Sequence, residues 1–461
     1  MQKLLKRLDD ITKYLVATIL LAIPLYPKFP LLRIPGTYVS IRLEDFLLAI
    51  AVLVLVAHIL PRLSEFLKNK TNIAIFVFLL VGLVSLSSAI FVTKTVQPHL
   101  GVLHWLRRVE YFIPFFLGVI AIRKNKGNLE FFLKVLMISI LLAFLYGFGQ
   151  RHLNWPIIVT QNEEYAKGVA LRYVQGGHIN ATFAGHYDLA TFLILLLPVY
   201  LSLLLLIKNF RAKTIILAVI LSGLWLLSFS GSRISAASYL VAAILSLILI
   251  KKYKVIPIMV LIGILVFGMS SNLTSRYQRL IDVGKEKIEE INNKLLFNQS
   301  LGEVIAIEEL DDNSLRRKTT IPTPTPVPVF EDRSTSIRFD VEWPRALRAL
   351  SKNPLLGTGY SSITLATDND YLRLLGEVGI LGFFAFFLVF IRIGKKIYDS
   401  LPLVRNFNGV ELAFMAGFVG ALPGIFINAM FIDVFEASKF AIIFWLLAGF
   451  SVVLLKNEKN N

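Results

Sequence analysis

Residues 187–207 read YDLATFLILLLPVYLSLLLLI, and this stretch separates a membrane protein from a soluble one. Its one charged residue, Asp188, stands at the start, and the rest is apolar or weakly polar. A helix needs about 20 predominantly apolar residues to cross a bilayer. The stretch therefore predicts a membrane-spanning helix that begins near an interface.

Comparable apolar runs recur along all 461 residues. About twelve are found, at 15–31, 43–60, 73–92, 109–122, 129–148, 187–207, 214–230, 235–250, 255–271, 372–391, 410–430 and 437–455. The chain is 56% hydrophobic and only 17% charged, whereas a soluble domain carries about 25% charge. We therefore predict an all-α polytopic membrane protein with about 12 transmembrane helices and one large extracytoplasmic loop that contains short helices.

The first run follows a basic segment, as in a signal peptide, but prolines interrupt it and no small-residue cleavage pattern follows. A retained anchor is the expectation. The sequence has no cysteine, which excludes disulfides, zinc–thiolate sites, iron–sulfur clusters and thiol nucleophiles. The cysteine count does not fix the compartment.

Positive charge is concentrated in every second connection between the runs. These connections are 1–14, 61–72, 123–128, 208–213, 251–254, 392–409 and 456–461. They hold 22 Lys and Arg against five acidic residues, a difference equal to the net charge of +17, so the remainder of the chain is balanced. Because short cationic loops stay in the cytoplasm, both termini are predicted to be cytoplasmic in a bacterial inner membrane. A nucleic-acid partner would require a basic patch with aromatic residues on one folded domain, and the sequence shows no such patch.

Three regions follow from this plan. Transmembrane helices 1–9 occupy residues 1–271, the large extracytoplasmic loop covers 272–371, and helices 10–12 occupy 372–461. Within the loop, apolar spacing predicts one helix over 275–296 and a second over 336–350. Between them, the Thr/Pro-rich segment 319–328 (TTIPTPTPVP) is typical of an extended spacer.

Charged residues at the outer ends of the runs are the candidates for chemistry, since a charge at mid-helix costs about 2.5–3.5 kcal/mol. Arg233 lies in a tight outer turn, Arg338 in the large loop, and Asp368 just before a run. Arginine forks bind phosphate oxygens and stay charged. A carboxylate beside them can take a proton from an attacking hydroxyl.

Each of these residues also has a purely structural interpretation. A membrane-edge arginine such as Arg233 is often an interfacial anchor. Asp368 or Asp370 could cap the helix that follows, and the glycines of 376–382 could serve close helix packing. The combination of two arginines and a carboxylate on one side is what favours a functional site.

Four segments, taken in order, carry a resemblance to a known family. They are Phe183–Ala190 (FAGHYDLA), Ser230–Arg233 (SGSR), Ser336–Gly359 with its Arg338, Trp343 and NPLLGTG, and Asp368–Gly382 (DNDYLRLLGEVGILG). At these residues the chain resembles the O-antigen ligase family of bacterial membrane glycosyltransferases, which includes O-antigen polymerases. The resemblance covers about 183–391.

The resemblance implies transfer of a glycan from undecaprenyl diphosphate to an acceptor hydroxyl of a glycan, lipid or protein, without a nucleotide sugar, metal or other cofactor. By position, Arg233 and Arg338 would hold the diphosphate, and Asp368 would stand where the family usually has a histidine base. Secondary candidates are Asn369, Asp370, His186, Arg172 and Glu377, together with His178 and Arg276.

The aspartate is a departure from the family pattern. An unperturbed aspartate has a pKa near 3.9 against about 6.5 for histidine, so Asp368 would be ionised but weakly basic. Burial would raise this pKa and neighbouring arginines would lower it. The sequence leaves the balance open, and with it the choice between ligase and polymerase.

Two other classes of function compete with this one. Asp368 and Asp370 have the D-x-D spacing that holds a divalent ion on a diphosphate, and Glu44-Asp45 could belong to a similar site, as in a metal-dependent glycosyltransferase. A transporter or lipid flippase would also be polytopic, but transporters place charges at the midplane of repeated halves. A scaffold would leave the clustered charges unexplained.

Overall fold

The computed structural model of the protein describes residues 2–33, 40–159, 169–175, 177–268, 285, 337–363 and 367–455. The helices in these residues are α1 Gln2–Leu25, α2 Leu43–Ile59, α3 Leu63–Lys68, α4 Lys70–Phe91, α5 Pro98–Lys124, α6 Asn128–His152, α7 His186–Leu206, α8 Phe210–Ser230, α9 Arg233–Leu249, α10 Ile256–Gly268, α11 Trp343–Lys352, α12 Asp370–Asp399, α13 Leu403–Asn406, α14 Gly409–Asn428 and α15 Ser438–Leu454. Each predicted apolar run overlaps one of the longer helices.

Seven helical segments of the described chain are long and apolar enough to cross a membrane. They are Leu43–Lys68, Lys70–Phe91, Asn128–His152, His186–Leu206, Phe210–Ser230, Asp370–Asp399 and Gly409–Asn428. Three shorter apolar helices accompany them, at Arg233–Leu249, Tyr253–Leu265 and Ser438–Leu454. The protein is thus helical in the manner of an all-α membrane protein, while the count of about 12 spans stays a prediction.

The connections contain short strands that the sequence analysis did not predict. Strands β1 (Leu32–Arg33) and β2 (Ser40–Ile41) pair antiparallel, as do β3 (Ile157–Val159) and β4 (Val169–Leu171). Each pair satisfies backbone N–H and C=O groups locally where the chain leaves one helix for the next. The all-α prediction therefore needs these two small hairpins added to it.

Helix α7 forms the centre of the bundle. Every residue from Asp188 to Leu203 is buried, against helices α8, α9 and α14. Small residues allow the close approach of α14: a Cβ on Gly424 would lie 2.5 Å from the carbonyl oxygen of Ser238 in α9. By contrast, only 22% of the apolar window in Leu43–Lys68 is buried, so most of this segment lies on the outside of the bundle.

Helix α12 is broken at Gly379, whose φ of 69° is left-handed. Amide groups of the preceding loop replace the missing intrahelical partners: Thr358 N donates to Gly376 O (2.9 Å) and Gly359 N donates to Glu377 O (2.7 Å). The sequence analysis considered close packing for this glycine, and a Cβ on Gly379 would indeed clash with the carbonyl oxygen of Leu355. Gly379 also lets the helix turn where the loop joins it.

The described part of the large loop begins with a π-helical turn, Ile337–Glu342, which continues directly into α11. This agrees with the helix predicted over 336–350, although α11 runs on to Lys352. The other predicted helix, 275–296, lies outside the described residues apart from residue 285. The spacer 319–328 lies outside them as well.

Candidate active site

Arg338 and Asp368 form a direct ion pair. The guanidinium Nη2 and Nε of Arg338 lie 2.8 and 3.1 Å from Oδ2 of Asp368. Arg338 is only 8% exposed, and it also donates to the hydroxyl of Tyr187 at the start of α7. The pair thus joins the large loop, the segment before α12 and the central helix.

Burial raises the pKa of Asp368 above its usual value. The positive charge of Arg338 opposes this effect and the negative charge of Asp433 adds to it, with a net rise. For Arg338, the attraction of Asp368 and Tyr187 outweighs burial and raises its pKa, so the guanidinium stays charged. The sequence could not decide whether burial or a neighbouring arginine has the larger effect on this pKa. In the structure burial has the larger effect, so Asp368 is more basic than an unperturbed aspartate.

The backbone on both sides of Asp368 is held by one carboxylate. Oδ2 of Asp433 accepts a hydrogen bond from Thr367 N (2.9 Å), and Oδ1 accepts one from Asn369 N (3.0 Å). Asp368 itself has a φ of 48°, an uncommon value for a residue other than glycine. The backbone conformation that presents the Asp368 carboxylate is therefore held by Asp433, a residue from a distant part of the chain.

Asp370, the first residue of α12, makes the reciprocal contact. Its carboxylate accepts hydrogen bonds from Val434 N (2.7 Å) and Phe435 N (3.1 Å), next to Asp433. Residues 367–370 and 433–435 therefore hold one another, and we call this arrangement the clasp.

The N-cap of α12 is Asn369, whose side chain accepts a hydrogen bond from Leu372 N (3.0 Å). Neither aspartate has the capping role considered from the sequence.

A group of buried charges continues from the clasp along α12. Arg373 Nη1 lies 3.0 Å from Oδ2 of Asp433, and Arg373 Nε lies 3.6 Å from Oε1 of Glu377. Arg108 of α5 pairs with Glu436 and approaches Glu377 to 3.9 Å. We call Arg108, Arg373, Glu377, Asp433 and Glu436 the site ion cluster.

A small cavity lies beside the site ion cluster. It is lined by Arg108, Asp370 and Glu436 and by aromatic rings that include Phe386 and Trp445.

Arg233 is the first residue of α9 and follows the turn predicted from SGSR. Gly231, with a φ of 67°, ends α8, and the Ser232 side chain caps α9 by accepting from Ser235 N (3.3 Å). The arginine is partly exposed.

Hydrogen bonds tie this turn to the end of the bundle that carries Asp368. Ser235 Oγ donates to Asn428 Oδ1 (3.0 Å), and Asn428 Nδ2 donates to Thr191 Oγ1 (2.7 Å), one helical turn past Tyr187. Directly after Asn428, the carbonyl of Ala429 accepts from Asp370 N (3.0 Å). Arg233 therefore stands on the same end of the bundle as the Arg338–Asp368 pair.

The remaining candidates have different surroundings. His186 begins α7, and its ring lies 4.0 Å from that of Tyr187 and 4.6 Å from that of His178. Arg172 is exposed and donates to the carbonyl of Asn154, apart from the contacts described above. Arg276 lies outside the described residues.

The acidic residues of the metal hypothesis are engaged by the protein. Glu44 lies 3.5 Å from Arg42 and accepts from Ser438 (3.1 Å), while Asp45 pairs with Arg107 (2.6 Å). Over the described ranges, no three His, Asp or Glu side chains stand together in a way that could hold a metal ion.

A second set of buried charges lies at the same end of the bundle. The Lys439 ammonium donates to the carbonyls of Thr182 (2.8 Å) and Pro24 (3.1 Å), and Lys28 lies 3.9 Å from Asp188. We call Lys28, Arg42, Glu44, Asp188 and Lys439 the second ion cluster.

The sequence analysis did not single out Tyr187, which contacts Arg338, or four members of the site ion cluster: Arg108, Arg373, Asp433 and Glu436. Two signals were present. Arg373 and Glu377 are spaced i, i+4 inside an apolar run, and Asp433 and Glu436 fall in a short outer connection between two runs.

The fold and this geometry define a helical membrane protein with a buried arginine–carboxylate pair at one end of its bundle. Residues 216–387 match the family of O-antigen ligase. The match includes Arg233, Arg338 and Asp368, and it supports assignment to the O-antigen ligase/polymerase family, whose members are membrane enzymes acting on glycans. No curated protein gives a significant match to the sequence.

Proposed function

We propose that the protein transfers a glycan from an undecaprenyl diphosphate donor to an acceptor hydroxyl at the outer face of the cytoplasmic membrane. The observation that carries this proposal is the buried Arg338–Asp368 pair, with 2.8 Å between Nη2 and Oδ2, within the residues matched to O-antigen ligase. Ligase and polymerase share this chemistry and differ in the acceptor.

In the proposed reaction, Arg338 and Arg233 bind the diphosphate oxygens through their guanidinium groups. Asp368 accepts the proton of the acceptor hydroxyl while the hydroxyl oxygen attacks the anomeric carbon. The bond from that carbon to the diphosphate oxygen breaks, with inversion, and undecaprenyl diphosphate leaves with its charge already paired. The proton on Asp368 then passes to solvent.

Several features support Asp368 as the base. Its pKa is raised by burial, which makes the carboxylate a stronger proton acceptor than an exposed aspartate. Its partner Arg338 stays charged, so one guanidinium can contact both the base and a phosphate oxygen. The carboxylate requires no metal for this step, since carboxylates serve as general bases in glycosidases.

The arginine is tested by replacing it in purified protein and measuring transfer from an undecaprenyl diphosphate-linked glycan. Arg338→Ala is expected to abolish transfer, while the protein still inserts into the membrane and elutes as a folded species. Arg348→Ala is the matched control, because Arg348 is exposed on α11 of the same loop. Equal turnover in the two variants would contradict the proposal.

The aspartate is tested by two substitutions with opposite expected results. Asp368→Asn removes the proton acceptor and should lower kcat by about 10²–10⁴-fold. Asp368→His places the usual family base at the same position and should retain or raise kcat. Asp399→Asn, at the exposed end of α12, controls for loss of a carboxylate elsewhere.

The proposed orientation, with both termini and the basic connections in the cytoplasm, is tested by single cysteines, since the native chain has none. Lys94→Cys, between α4 and α5, should react in intact cells with a membrane-impermeant maleimide. Lys126→Cys, between α5 and α6, should react only after the cells are opened. Both positions are exposed in the structure. The reverse pattern would invert the topology.

A further inference from the structure

We infer that Asp433, held by Arg373, is a positioning residue that fixes the orientation of the Asp368 carboxylate for transfer. The inference rests on the proposed role of Asp368. It concerns residues in the connection between α14 and α15, beyond the segment 216–387 matched to O-antigen ligase.

The first argument is the geometry of the contacts on either side of Asp368. Asp433 accepts hydrogen bonds from the amides of residues 367 and 369 at 2.9 and 3.0 Å, so it brackets the residue between them. With a φ of 48°, Asp368 holds a left-handed conformation that is unfavourable for a residue with a Cβ. The two hydrogen bonds stabilise this conformation against an ordinary extended one.

The second argument is that the contact is reciprocal. Asp370 accepts from the amides of Val434 and Phe435, so the segment that supplies Asp433 is itself held by a residue next to Asp368. Residues 367–370 and 433–435 are therefore fastened to each other from both sides.

The third argument is that Asp433 is fully engaged by protein groups. Its Oδ2 also lies 3.0 Å from Nη1 of Arg373, whose side chain is 4% exposed. Two amides and a guanidinium are suitable partners for one carboxylate, and hydrogen bonds to a charged group are among the strongest in proteins. Asp433 thus acts on the substrate through Asp368. A displacement of the Asp368 carboxylate by about 1 Å would take it out of reach of the acceptor hydroxyl.

The test compares two carboxylates with similar contacts. Asp433→Asn replaces one accepting oxygen by a donor, which opposes an amide of the clasp. Asp45→Asn is the matched control, because Asp45 also accepts from a backbone amide (Arg42 N, 2.9 Å) and pairs with an arginine, but contacts neither Arg338 nor Asp368. Purified variants are assayed for kcat, KM and pH profile with an undecaprenyl diphosphate-linked glycan.

Asp433→Asn is expected to lower kcat at least tenfold while the donor KM stays within about twofold. The acid limb of its pH profile should shift to lower pH, because the negative charge of Asp433 no longer raises the pKa of Asp368. Asp45→Asn should change neither quantity, even if its thermal stability falls. A kcat loss in Asp433→Asn no larger than in Asp45→Asn, or a loss confined to KM, would overturn the inference.

A second variant keeps the test valid if Asp433→Asn does not fold. Arg373→Lys retains the charge but loses the fork that holds Asp433, and it should lower kcat about threefold; unchanged kcat would count against the inference. Asp368→Asn separates the two proposals. Full activity in that variant would refute the base itself, whereas its inactivity beside a normal Asp433→Asn would refute only the positioning role.

Discussion

The site ion cluster and the second ion cluster both bury arginine or lysine with carboxylates at the same end of the bundle, but they hold different parts of the chain. In the site cluster, Asp433 grips the backbone around Asp368. In the second cluster, Lys439 binds the carbonyls of Pro24 and Thr182 and so joins α15 to two distant connections. Among the described residues, no hydrogen bond or ion pair joins the second cluster to Arg338 or Asp368.

The difference shows that buried charge by itself does not mark a catalytic group. A buried ion pair is weak evidence even for stability, since desolvation offsets the attraction, although removing one partner is strongly destabilising. What distinguishes the site cluster is its connection to a carboxylate that is still 21% exposed as a side chain. The comparison predicts that the second cluster governs stability and the site cluster governs turnover.

The largest expected effect is on stability in the second cluster. Lys439→Ala leaves the buried carbonyls of Pro24 and Thr182 without their donor, which should cost about 1–3 kcal/mol for each carbonyl. Thermal unfolding in detergent measures the loss, with Lys134→Ala as the control, since its pair with Glu130 is exposed and contributes about 0–1 kcal/mol. The fraction of Lys439→Ala that remains folded should keep its kcat. A lower kcat at unchanged Tm would place Lys439 in the site.

The next effect concerns Arg233, which belongs to neither cluster. Arg233→Ala should lower kcat/KM for the lipid-linked donor about tenfold to hundredfold, because a charge-assisted hydrogen bond contributes about 1.5–3 kcal/mol. Initial rates over a range of donor concentrations measure this loss. Arg211→Ala, exposed at the opposite end of α8, should leave kcat/KM unchanged. If both variants lose equally, Arg233 serves the membrane interface rather than the diphosphate.

A smaller effect is expected from pH. The base must be ionised, so kcat should fall as the pH drops through the raised pKa of Asp368, by up to tenfold per pH unit below it. Glu342 provides the contrast, since burial and the charges of Asp368 and Asp433 raise its pKa to about 7. An acid limb near pH 7 that disappears in Glu342→Gln would transfer the role of base to Glu342.

No change is expected on removal of metal. Asp370, the second carboxylate of the D-x-D spacing, accepts from two backbone amides and belongs to the clasp. Transfer measured after treatment with excess EDTA should therefore equal the untreated rate. Loss of activity with rescue by Mg²⁺ would instead favour the metal-dependent alternative.

The helices were predictable because the length of an apolar run is a local property. Every run overlaps a helix of the described residues, and the segment 336–350 was recognised from its apolar spacing. The break at Gly379 was not predicted, since it depends on amides from the loop of Thr358 and Gly359 that replace the helical partners. The strand pairs were missed because strands of two or three residues carry no detectable alternation.

The residues of the site that lie in ordered sequence motifs could be predicted, whereas the contacts between distant segments could not. Arg338 and Asp368 were paired from four motifs in sequence, and the structure brings them into contact. Asp433 was not found because its role depends on a contact with Thr367 and Asn369, from which it is separated along the chain by the three helices α12, α13 and α14. The direction of the pKa shift of Asp368 likewise required the burial that only the folded chain defines.

The interruption of α12 at Gly379 has a mechanical consequence. The N-terminal half of this helix, which starts at Asp370, is fastened through the carbonyls of Gly376 and Glu377 to the loop that follows α11. The same loop also holds the C-terminal half, because Ile380 N donates to Pro354 O (2.9 Å) and Leu381 N donates to Leu355 O (3.1 Å). Glycine at this position thus lets the chain turn inside α12 while the loop after α11 bridges the two halves across the break.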